Sequence, residues 1–427
     1  MARIVVLSQY WAPENGVVQR RWKWLSELLS NQGHEIYVFA PPPHDKRKVK
    51  VSDWLKGLGF LLRARGGEEI GSATVYRTGF VPTGRSLTRR IFNQAWVGLS
   101  MLVTVLVPPR ELRSLRPDLV IGTVPALPTA AVTKIAAWRF RARYIIDLRD
   151  AWPALFRESR EWNQSVGTAS VRERLLTKGP FQALVWLSER MLNRVLDDAD
   201  GILTTSEWLA LEIQKGNPSR PVATVRNVFP AAVDVRQREN GKPHGRLHVL
   251  YAGTIGRAQY LDNVVAAARI CRERGLNVTV RFVGNGAAWY HLKKMVKAYE
   301  VDAQFVPQVQ PSDLVTHYQW ADTALVHLND WPSLRFAVPS KTYELMQAGI
   351  HISGVVEGET ARLISEFHAG TVVPPDNSIA LADVWTLLAE STTRPSGSEA
   401  GRLWVERQRE EKAPEQISWL INEIVGR

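Results

Sequence analysis

The sequence predicts an α/β protein made of two doubly wound domains, each with a mainly parallel sheet covered by helices. A chain of 427 residues exceeds a comfortable single core, so two domains are expected. Short apolar runs alternate with segments of helical periodicity, which is typical of parallel sheets. The alternation stops at a charged stretch, residues 233–246, and then begins again. That interruption indicates an interdomain linker.

The first half begins with a predicted β-α-β unit. Residues 3–8 (RIVVLS) predict a strand, residues 17–31 a helix ended by Gly33, and residues 34–40 (HEIYVFA) a second strand. Further predicted strands lie at residues 118–124, 143–150, 201–206 and 221–229. We therefore assign residues 1–230 to an N-terminal Rossmann-like domain and residues 231–246 to the linker.

The second half repeats the pattern and defines a C-terminal Rossmann-like domain, residues 247–402. Its predicted elements are strands at 247–253, 278–286, 303–309, 323–329 and 371–377, with helices at 261–274, 287–300 and after Pro339. Residues 403–427 predict a helical tail that is interrupted near Pro414 and packs back on the N-terminal domain. Because ligands bind beyond the carboxyl ends of such strands, we expect the site in the cleft between the domains.

The net charge of +12, from 54 Lys and Arg against 42 Asp and Glu, fits three kinds of partner. These are nucleic acid, an anionic membrane surface and anionic small molecules. Nucleic acid is disfavoured because the chain has no zinc-finger spacing, no aromatic RNA-binding signature and no dense basic run. No metal site is expected either, since His244 and His248 lack a nearby carboxylate.

The single cysteine, Cys271, and an N-terminus without a signal peptide predict a cytoplasmic protein. No segment reaches the length of about 18 apolar residues needed to span a bilayer. The nearest is residues 95–107 (AWVGLSMLVTVLV), with arginines on both sides between residues 85 and 116. Two interpretations remain open: a buried core helix, or a helix that attaches the protein peripherally to the anionic inner face of the cytoplasmic membrane. The buried core helix is the preferred interpretation, and the basic flanks together with residues 54–67 (WLKGLGFLLRARGG) support membrane attachment as the alternative.

Glycines follow the predicted strands at several βα turns. Gly16 in the first domain, and Gly256 with Arg257 in the second, each precede a helix whose N-terminus can receive an anion. Gly284 and Gly286 belong to FVGNGAAW, which resembles a dinucleotide fingerprint without its third glycine. A nucleotide-linked role and an ordinary tight turn both remain open for these two residues.

The stretch VPSKTYELMQAG predicts a short helix with Ser340 as its N-cap and Gly349 at its end. Lys341 and Glu344 lie at i and i+3, on one face of this helix. One interpretation is an exposed ion pair. The other is a clamp, in which Lys341 and the helix N-terminus hold a diphosphate while Glu344 accepts hydrogen bonds from a ribose diol.

Four motifs together resemble the GT-B glycosyltransferases of family 4. They are PSKTYELMQAG, VVEGETARLI, YAGTIGRAQYLDN and DLRDAWP, and the resemblance runs from residue 3 to residue 425. It is greatest to the bacterial branch that builds surface polysaccharides, the L-fucosamine transferase-like enzymes. The resemblance implies retaining transfer from a UDP-, GDP- or dTDP-linked sugar, without a metal or other cofactor. The acceptor is expected to be a lipid-linked or polymeric glycan bound by the N-terminal domain.

The resemblance also implies roles for residues of the second domain. Glu344 matches the ribose-binding second Glu of the E-x7-E motif, whereas the first Glu is replaced by Phe336. The usual basic residues align near Thr254 and Gln259, so diphosphate binding is assigned to Arg257 and Lys341. Backbone N–H groups over the sugar phosphate are expected from four consecutive residues: Glu357, Gly358, Glu359 and Thr360.

In the first domain, DLRDAWP supplies the catalytic candidates Asp147, Arg149 and Asp150. The arginine would stabilise the leaving phosphate and an aspartate, with Asp150 preferred, would orient the acceptor hydroxyl. An Arg-Asp pair that locks the loop is the competing interpretation.

Two other functions remain open at this level. The first is a GT-B nucleotide-sugar epimerase, although Phe336 and Arg149 stand where its acid-base groups are needed. The second is a non-catalytic nucleotide-sugar binder or assembly partner, which the missing first Glu of the motif allows.

Overall fold

The computed structural model describes residues 1–14, 16–44, 51–56, 59, 61–62, 64, 66–82, 87–124, 126–155, 158, 180–230 and 244–426. The chain divides into two compact units. Unit 1 comprises Met1–Pro153, Gln182–Phe229 and Glu411–Arg427, and unit 2 comprises Ala154–Phe181 and Pro230–Glu410. Most of the predicted linker, residues 231–243, and Arg85 lie outside the described residues.

Unit 1 contains an eight-stranded sheet of order β3-β4-β2-β1-β5-β6-β7-β8. Its strands are β1 (Arg3–Leu7), β2 (Glu35–Ala40), β3 (Gly67–Ile70), β4 (Ala73–Arg77), β5 (Leu119–Val124), β6 (Arg143–Leu148), β7 (Gly201–Thr204) and β8 (Val222–Thr224). All pairs are parallel except β3 with β4. Every residue of β5 is buried, as expected for a central strand covered on both faces.

The described residues of the same half of the chain form six helices. They are α1 (Val17–Asn31), α2 (Val51–Lys56), α3 (Leu87–Leu106), α4 (Leu127–Phe140), α5 (Pro180–Asp197) and α6 (Glu207–Gly216). Helix α1 has the predicted bounds and buries Trp22, Leu25 and Leu29 at helical spacing. This apolar stripe fixes which face of α1 meets the sheet.

Unit 2 contains a six-stranded parallel sheet of order β11-β10-β9-β12-β13-β14. Its strands are β9 (Arg246–Thr254), β10 (Asn277–Asn285), β11 (Ala303–Val306), β12 (Thr323–His327), β13 (His351–Val355) and β14 (Gly370–Val373). Its helices are α7 (Asp262–Glu273), α8 (Trp289–Ala298), α9 (Leu314–Trp320), α10 (Ser340–Ala348), α11 (Gly358–Glu366), α12 (Ser378–Glu390) and α13 (Glu399–Arg407). Tyr251, Phe282 and Trp385 are fully buried in its core.

The C-terminal segment continues from α13 through a π turn (Gln408–Lys412) into α14 (Ala413–Val425). Pro414 lies in the first turn of α14, where no backbone N–H is needed. Helix α14 packs on β7 and β8. Gly201 makes room for this contact, since a Cβ there would meet the side chains of Leu420 and Ile424.

The predicted fold class, two doubly wound α/β sheets, is confirmed. Two details of unit 1 were wrong or missed. The predicted strand at 221–229 ends at Thr224, because the carbonyl of Val225 accepts a hydrogen bond from Arg21 at 2.7 Å instead of continuing a sheet. The antiparallel strand β3 was not predicted because its residues are mostly exposed and charged, which gives no apolar alternation.

Candidate functional site

Helix α10 carries the Lys341–Glu344 pair and begins close to the carboxyl end of β12. Its N-cap is Pro339, which makes no side-chain capping hydrogen bond, and its first helical residue is Ser340. The prediction of Ser340 as N-cap is therefore wrong by one residue, because the extended residue before the helix is the proline. Gly349 ends the helix at φ +65° as predicted, a conformation that favours glycine.

The side chain of Lys341 turns inward from α10. Its Nζ lies 3.8 Å from the centroid of the Tyr251 ring, is buried and has no hydrogen-bond partner. Burial lowers the pKa of Lys341 to about 7, although the Glu344 carboxylate opposes the shift. Lys341 is thus not half of an exposed ion pair. A Cβ on Gly253 would stand 3.2 Å from this nitrogen, so the last residues of strand β9 approach the nitrogen closely.

His327 ends β12 beside Lys341, and sequence reasoning missed it. Its Nε2 lies 3.1 Å from Nδ2 of Asn263, which donates a hydrogen bond to the neutral imidazole. Burial, followed by the charge of Lys341, lowers the pKa of His327 to about 3. The imidazole therefore stays neutral and adds no second positive charge next to the ammonium. A histidine at a strand end carries no sequence signal for this role.

Close backbone approach explains the glycines at the carboxyl end of β10, Gly284 within the strand and Gly286 just after it. A Cβ on Gly284, whose φ is +151°, would collide with the carbonyl oxygen of Gly253. A Cβ on Gly286 would collide with the carbonyl oxygen of Ile255. This geometry favours the tight-turn interpretation for both residues. Gly256 lies at the start of the short 3-10 turn Arg257–Gln259, which follows the carboxyl end of β9.

The segment Glu357–Thr360 lies where α11 begins. Glu357 precedes the helix and pairs with Arg335 at 2.7 Å. Gly358 has φ +69°, and a Cβ there would collide with the carbonyl oxygen of Arg335. Glu359 is buried, and so is Thr360, whose hydroxyl donates to the carbonyl of Ala337 at 2.7 Å. These side chains fix the loop before α10 against the N-terminus of α11.

In unit 1, Asp147 is a buried structural carboxylate. Its oxygens accept hydrogen bonds from Arg21 at 3.0 Å and from the indole N–H of Trp22 at 2.9 Å. The Arg21 and Asp147 side chains are fully buried. Arg21 also donates to Asn227 at 3.1 Å. An Arg-Asp pair does lock this region, but its arginine is Arg21 and not Arg149.

Arg149 and Asp150 follow β6 and are half-buried. Arg149 donates from Nε to the carbonyl of Val124 at 3.0 Å, and Thr205 donates to the carbonyl of Arg149 at 2.8 Å. Burial lowers the pKa of Arg149 and raises the pKa of Asp150. No described residue donates a hydrogen bond to the Asp150 carboxylate. Gly16 lies at the start of α1 in an extended conformation, with no side-chain cap on that helix.

Helix α3 has one buried face and one exposed apolar face. Val97, Met101 and Val105 are buried, whereas Phe92 and Leu99 are 57% and 43% exposed. Exposed arginines lie in the first turn of the helix, at positions 89 and 90, and beyond its end, at positions 110, 113 and 116. None of the described helices is long and apolar enough to cross a bilayer. Within the described part of the chain, no group of three or more His, Cys, Asp or Glu residues is placed to hold a metal ion.

Two family models match most of the chain. The Glycosyl transferase 4-like domain matches residues 16–228, and Glycosyl transferases group 1 matches residues 233–404. Among curated proteins, the chain is similar to WcaI of Escherichia coli (strain K12), which is named as a colanic acid biosynthesis glycosyl transferase. The two are 26% identical over 359 residues, which is 81% of each chain.

The fold is similar to that of several solved glycosyltransferases. Sucrose-phosphate synthase from Thermosynechococcus elongatus superposes with a TM-score of 0.66 at 14% identity, and both chains are covered completely. Anabaena Alr3699/HepE, solved in complex with UDP-glucose, gives 0.58 at 11% identity, again over both whole chains. WaaG, a glycosyltransferase of lipopolysaccharide biosynthesis, gives 0.54 at 13% identity over 99% of this chain and 100% of WaaG. With both halves matched in order by the family models, the chain belongs to the family 4 glycosyltransferases with the GT-B fold.

Proposed function

We propose that this glycosyltransferase moves a sugar, with retention and without a metal, from a nucleotide-diphosphate sugar to a lipid-linked glycan during cell-surface polysaccharide synthesis. The observation that carries the proposal is the buried Nζ of Lys341, which has no hydrogen-bond partner. A buried ammonium without a partner is costly, and an anionic ligand at the strand ends would supply the missing acceptors. The names of WcaI and WaaG support polysaccharide synthesis as the process.

In this proposal unit 2 binds the donor. Lys341 and Arg257 neutralise the diphosphate, and the N-terminus of α11 offers backbone N–H groups to the phosphate next to the sugar. Glu344 lies one turn after Lys341 on α10 and accepts hydrogen bonds from the ribose hydroxyls. The neighbour from Anabaena was solved with UDP-glucose, which supports a uridine donor as the first to be tested.

Unit 1 then supplies the acceptor side. Partial removal from water raises the pKa of the half-buried Asp150, so its carboxylate is well suited to accept a hydrogen bond from an acceptor hydroxyl. Arg149 lies beside it and can stabilise negative charge on the leaving phosphate. Asp147 has no part in this chemistry, because its oxygens already bind Arg21 and Trp22.

The lipid-linked acceptor is favoured by the surface of unit 1. The exposed apolar face of α3 includes Phe92 and Leu99, and exposed arginines lie in the first turn of the helix and beyond its end. This composition suits a helix that lies in the interface of an anionic membrane. A membrane position would bring the protein to acceptors that are carried on lipid.

The first test is a thermal-shift screen of the whole protein against UDP, GDP, dTDP and their common sugars, with and without Mg²⁺. We expect one nucleoside diphosphate to raise the melting temperature equally with and without metal, and Lys341→Ala and Glu344→Ala each to weaken the shift. Glu366→Gln, which removes an exposed carboxylate at the other end of α11, is the matched control. Absence of any shift with the wild-type protein would overturn the proposed donor site.

Turnover separates an enzyme from a binder. A membrane fraction that carries lipid-linked glycans is incubated with the selected donor, and the anomeric configuration of the new linkage is read by NMR. Retention of the donor configuration in the presence of EDTA supports the proposal. Inversion would overturn the retaining mechanism, and loss of transfer in EDTA would overturn metal independence.

A further inference from the structure

A small pocket lies in unit 2 where β12, β13 and β14 end. Its lining includes Leu328, Asp330, Trp331, Arg335, Glu357 and Pro375. Leu328 directly follows His327, the residue whose pKa is lowered by burial and then by the charge of Lys341. Asn329 donates from its backbone to the carbonyl of Ala258 at 2.8 Å, which joins the pocket to the turn that carries Arg257. The pocket therefore borders the proposed diphosphate site.

The pocket contains both hydrogen-bond acceptors and donors. The Nη2 atom of Arg335 lies 2.7 Å from Oε2 of Glu357 and 4.0 Å from Oδ1 of Asp330. Trp331 is only 5% exposed, and its indole N–H has no hydrogen-bond partner. A buried N–H without an acceptor is rare and needs a physical reason. An oxygen of a bound ligand would supply the missing acceptor for this N–H. Sugar hydroxyls can do so, and they can also donate hydrogen bonds to carboxylates.

The backbone around the pocket is fixed before any ligand binds. The 3-10 turn Pro332–Phe336 is tied to Glu158, which accepts hydrogen bonds from the backbone N–H of Ser333, at 2.8 Å, and from its hydroxyl. Gly358 packs against the carbonyl of Arg335, where no side chain would fit. Preorganised polar groups of this kind suit selective recognition of a small polar ring.

We propose that this pocket takes the sugar ring of the donor and that the transferred sugar carries no carboxylate. This inference rests on the proposed function. Asp330, Glu357, Arg335 and Trp331 would make the sugar contacts that Phe336, which stands in place of the family's first Glu, does not supply.

The charge balance selects against an acidic sugar. Within the pocket, the two carboxylates of Asp330 and Glu357 face the single guanidinium of Arg335, which is already paired. A third carboxylate lies close by, since Asp330 contributes, after burial, to the raised pKa of Asp376. The excess negative charge attracts hydroxyl hydrogens and repels a uronate. A neutral hexose or hexosamine ring is accepted, and a hexuronate is rejected.

The experiment compares two donors that differ only at C6. Isothermal calorimetry gives the dissociation constants of UDP, UDP-glucose and UDP-glucuronate, or of GDP, GDP-mannose and GDP-mannuronate if the protein selects guanosine. We expect the uronate donor to bind at least roughly tenfold more weakly than the neutral one, since like charges a few ångströms apart repel strongly. Asp330→Asn should reduce the ratio of the uronate dissociation constant to the neutral one roughly fivefold. Glu273→Gln removes an equally exposed carboxylate at the far end of α7 and should leave the ratio unchanged.

A second variant tests the indole. Trp331→Phe keeps an aromatic ring but removes the N–H, so the neutral donor should bind about tenfold more weakly while UDP alone binds as before. This inference is overturned by equal binding of neutral and acidic donors, by an unchanged neutral-to-acidic ratio in Asp330→Asn, or by unchanged binding of the neutral donor to Trp331→Phe. Each of these outcomes leaves the proposed function standing. If the wild-type protein binds no nucleoside diphosphate at all, the proposed function fails and this inference fails with it.

Discussion

The ammonium nitrogen of Lys341 lies 3.8 Å from the centroid of the Tyr251 ring, in a buried position without a hydrogen bond. The Tyr251 hydroxyl donates to the carbonyl of Thr254 at 2.6 Å, which holds the ring in place. A cation–π contact offsets only about 2 kcal/mol of the desolvation of a buried charge. The ligand-free site therefore holds a cation that lacks most of the partners it had in water, and such sites are typical of function.

The affinity for nucleoside diphosphate should fall as the pH rises above 7. Lys341 has a pKa of about 7 in the free protein, so an increasing fraction is neutral above that pH and must take up a proton to bind the diphosphate. The terminal phosphate of UDP is already ionised in this range, because its second pKa is about 6. Calorimetry between pH 6.5 and 9 should show roughly a tenfold loss of affinity from pH 7 to 8.5.

Lys341→Arg is the control for that titration, because a guanidinium stays charged throughout the range. Its affinity for UDP should be nearly independent of pH above 7. If the affinity of Lys341→Arg for UDP fell with pH as steeply as that of the wild-type protein, the titrating group would be one other than Lys341.

Lys341→Met should stabilise the ligand-free protein while it abolishes diphosphate binding. In the wild-type protein the folded-state pKa is lowered, so the unfolded chain binds more protons between pH 7 and the ordinary lysine pKa. The penalty is complete below pH 7, decreases steadily as the pH rises above 7, and is lost only near the ordinary lysine pKa. We expect the variant to gain roughly 1–3 kcal/mol in the free energy of unfolding at pH 6. The gain should shrink by pH 10, and chemical denaturation at both pH values measures it.

Asp147 and Asp150, although three residues apart, should respond differently to substitution. Asp147→Ala leaves Arg21 buried without its counter-charge, which should cost roughly 3–5 kcal/mol of stability. Asp150→Asn removes a carboxylate that no described residue hydrogen-bonds, so the melting temperature should stay near the wild-type value while sugar transfer is lost. A stable Asp147→Ala protein, or an Asp150→Asn protein with full transfer, would reverse these roles.

Gly284→Ala tests whether that glycine serves the fold or the nucleotide. The added Cβ would collide with the Gly253 carbonyl, so we expect a loss of more than about 2 kcal/mol of stability. Gly275→Ala is the matched control, since Gly275 also has a positive φ but has open space around its Cα. Near-normal stability of Gly284→Ala with loss of UDP binding would favour a nucleotide contact instead.

The alternation of apolar runs and helical periods was sufficient to predict the fold class, because it follows directly from covering a parallel sheet on both faces. Helix α1 was predicted with its observed bounds, since its apolar stripe and the following glycine both mark them. The short strand β3 was missed because exposed charged residues form it. Periodicity identifies the buried face of an element well and the bounds of an exposed edge strand poorly.

The site was only partly predictable, because its contacts join distant parts of the chain. The sequence placed Lys341 on a short helix but gave no sign that Tyr251 lies under its ammonium group. The partner of Asp147 was also hidden, since Arg21 is 126 residues away. Motifs identify residue types at local spacing, whereas a buried pair of this kind is set by how α1 packs against β6.

The exposed apolar face of α3 should bind to anionic membranes. Phe92 and Leu99 are 57% and 43% exposed, and exposed arginines lie in the first turn of the helix and beyond its end. Vesicles that contain anionic lipid should therefore bind the protein more tightly than neutral vesicles do. The double variant Phe92→Ser/Leu99→Gln should lose roughly 10- to 100-fold in partition coefficient, since two large apolar side chains no longer enter the interface. Leu211→Gln, which changes an exposed leucine on α6, should bind as the wild-type protein does. Sedimentation with both kinds of vesicle measures this, and equal binding to neutral and anionic vesicles, or to neither, would remove the argument for membrane attachment.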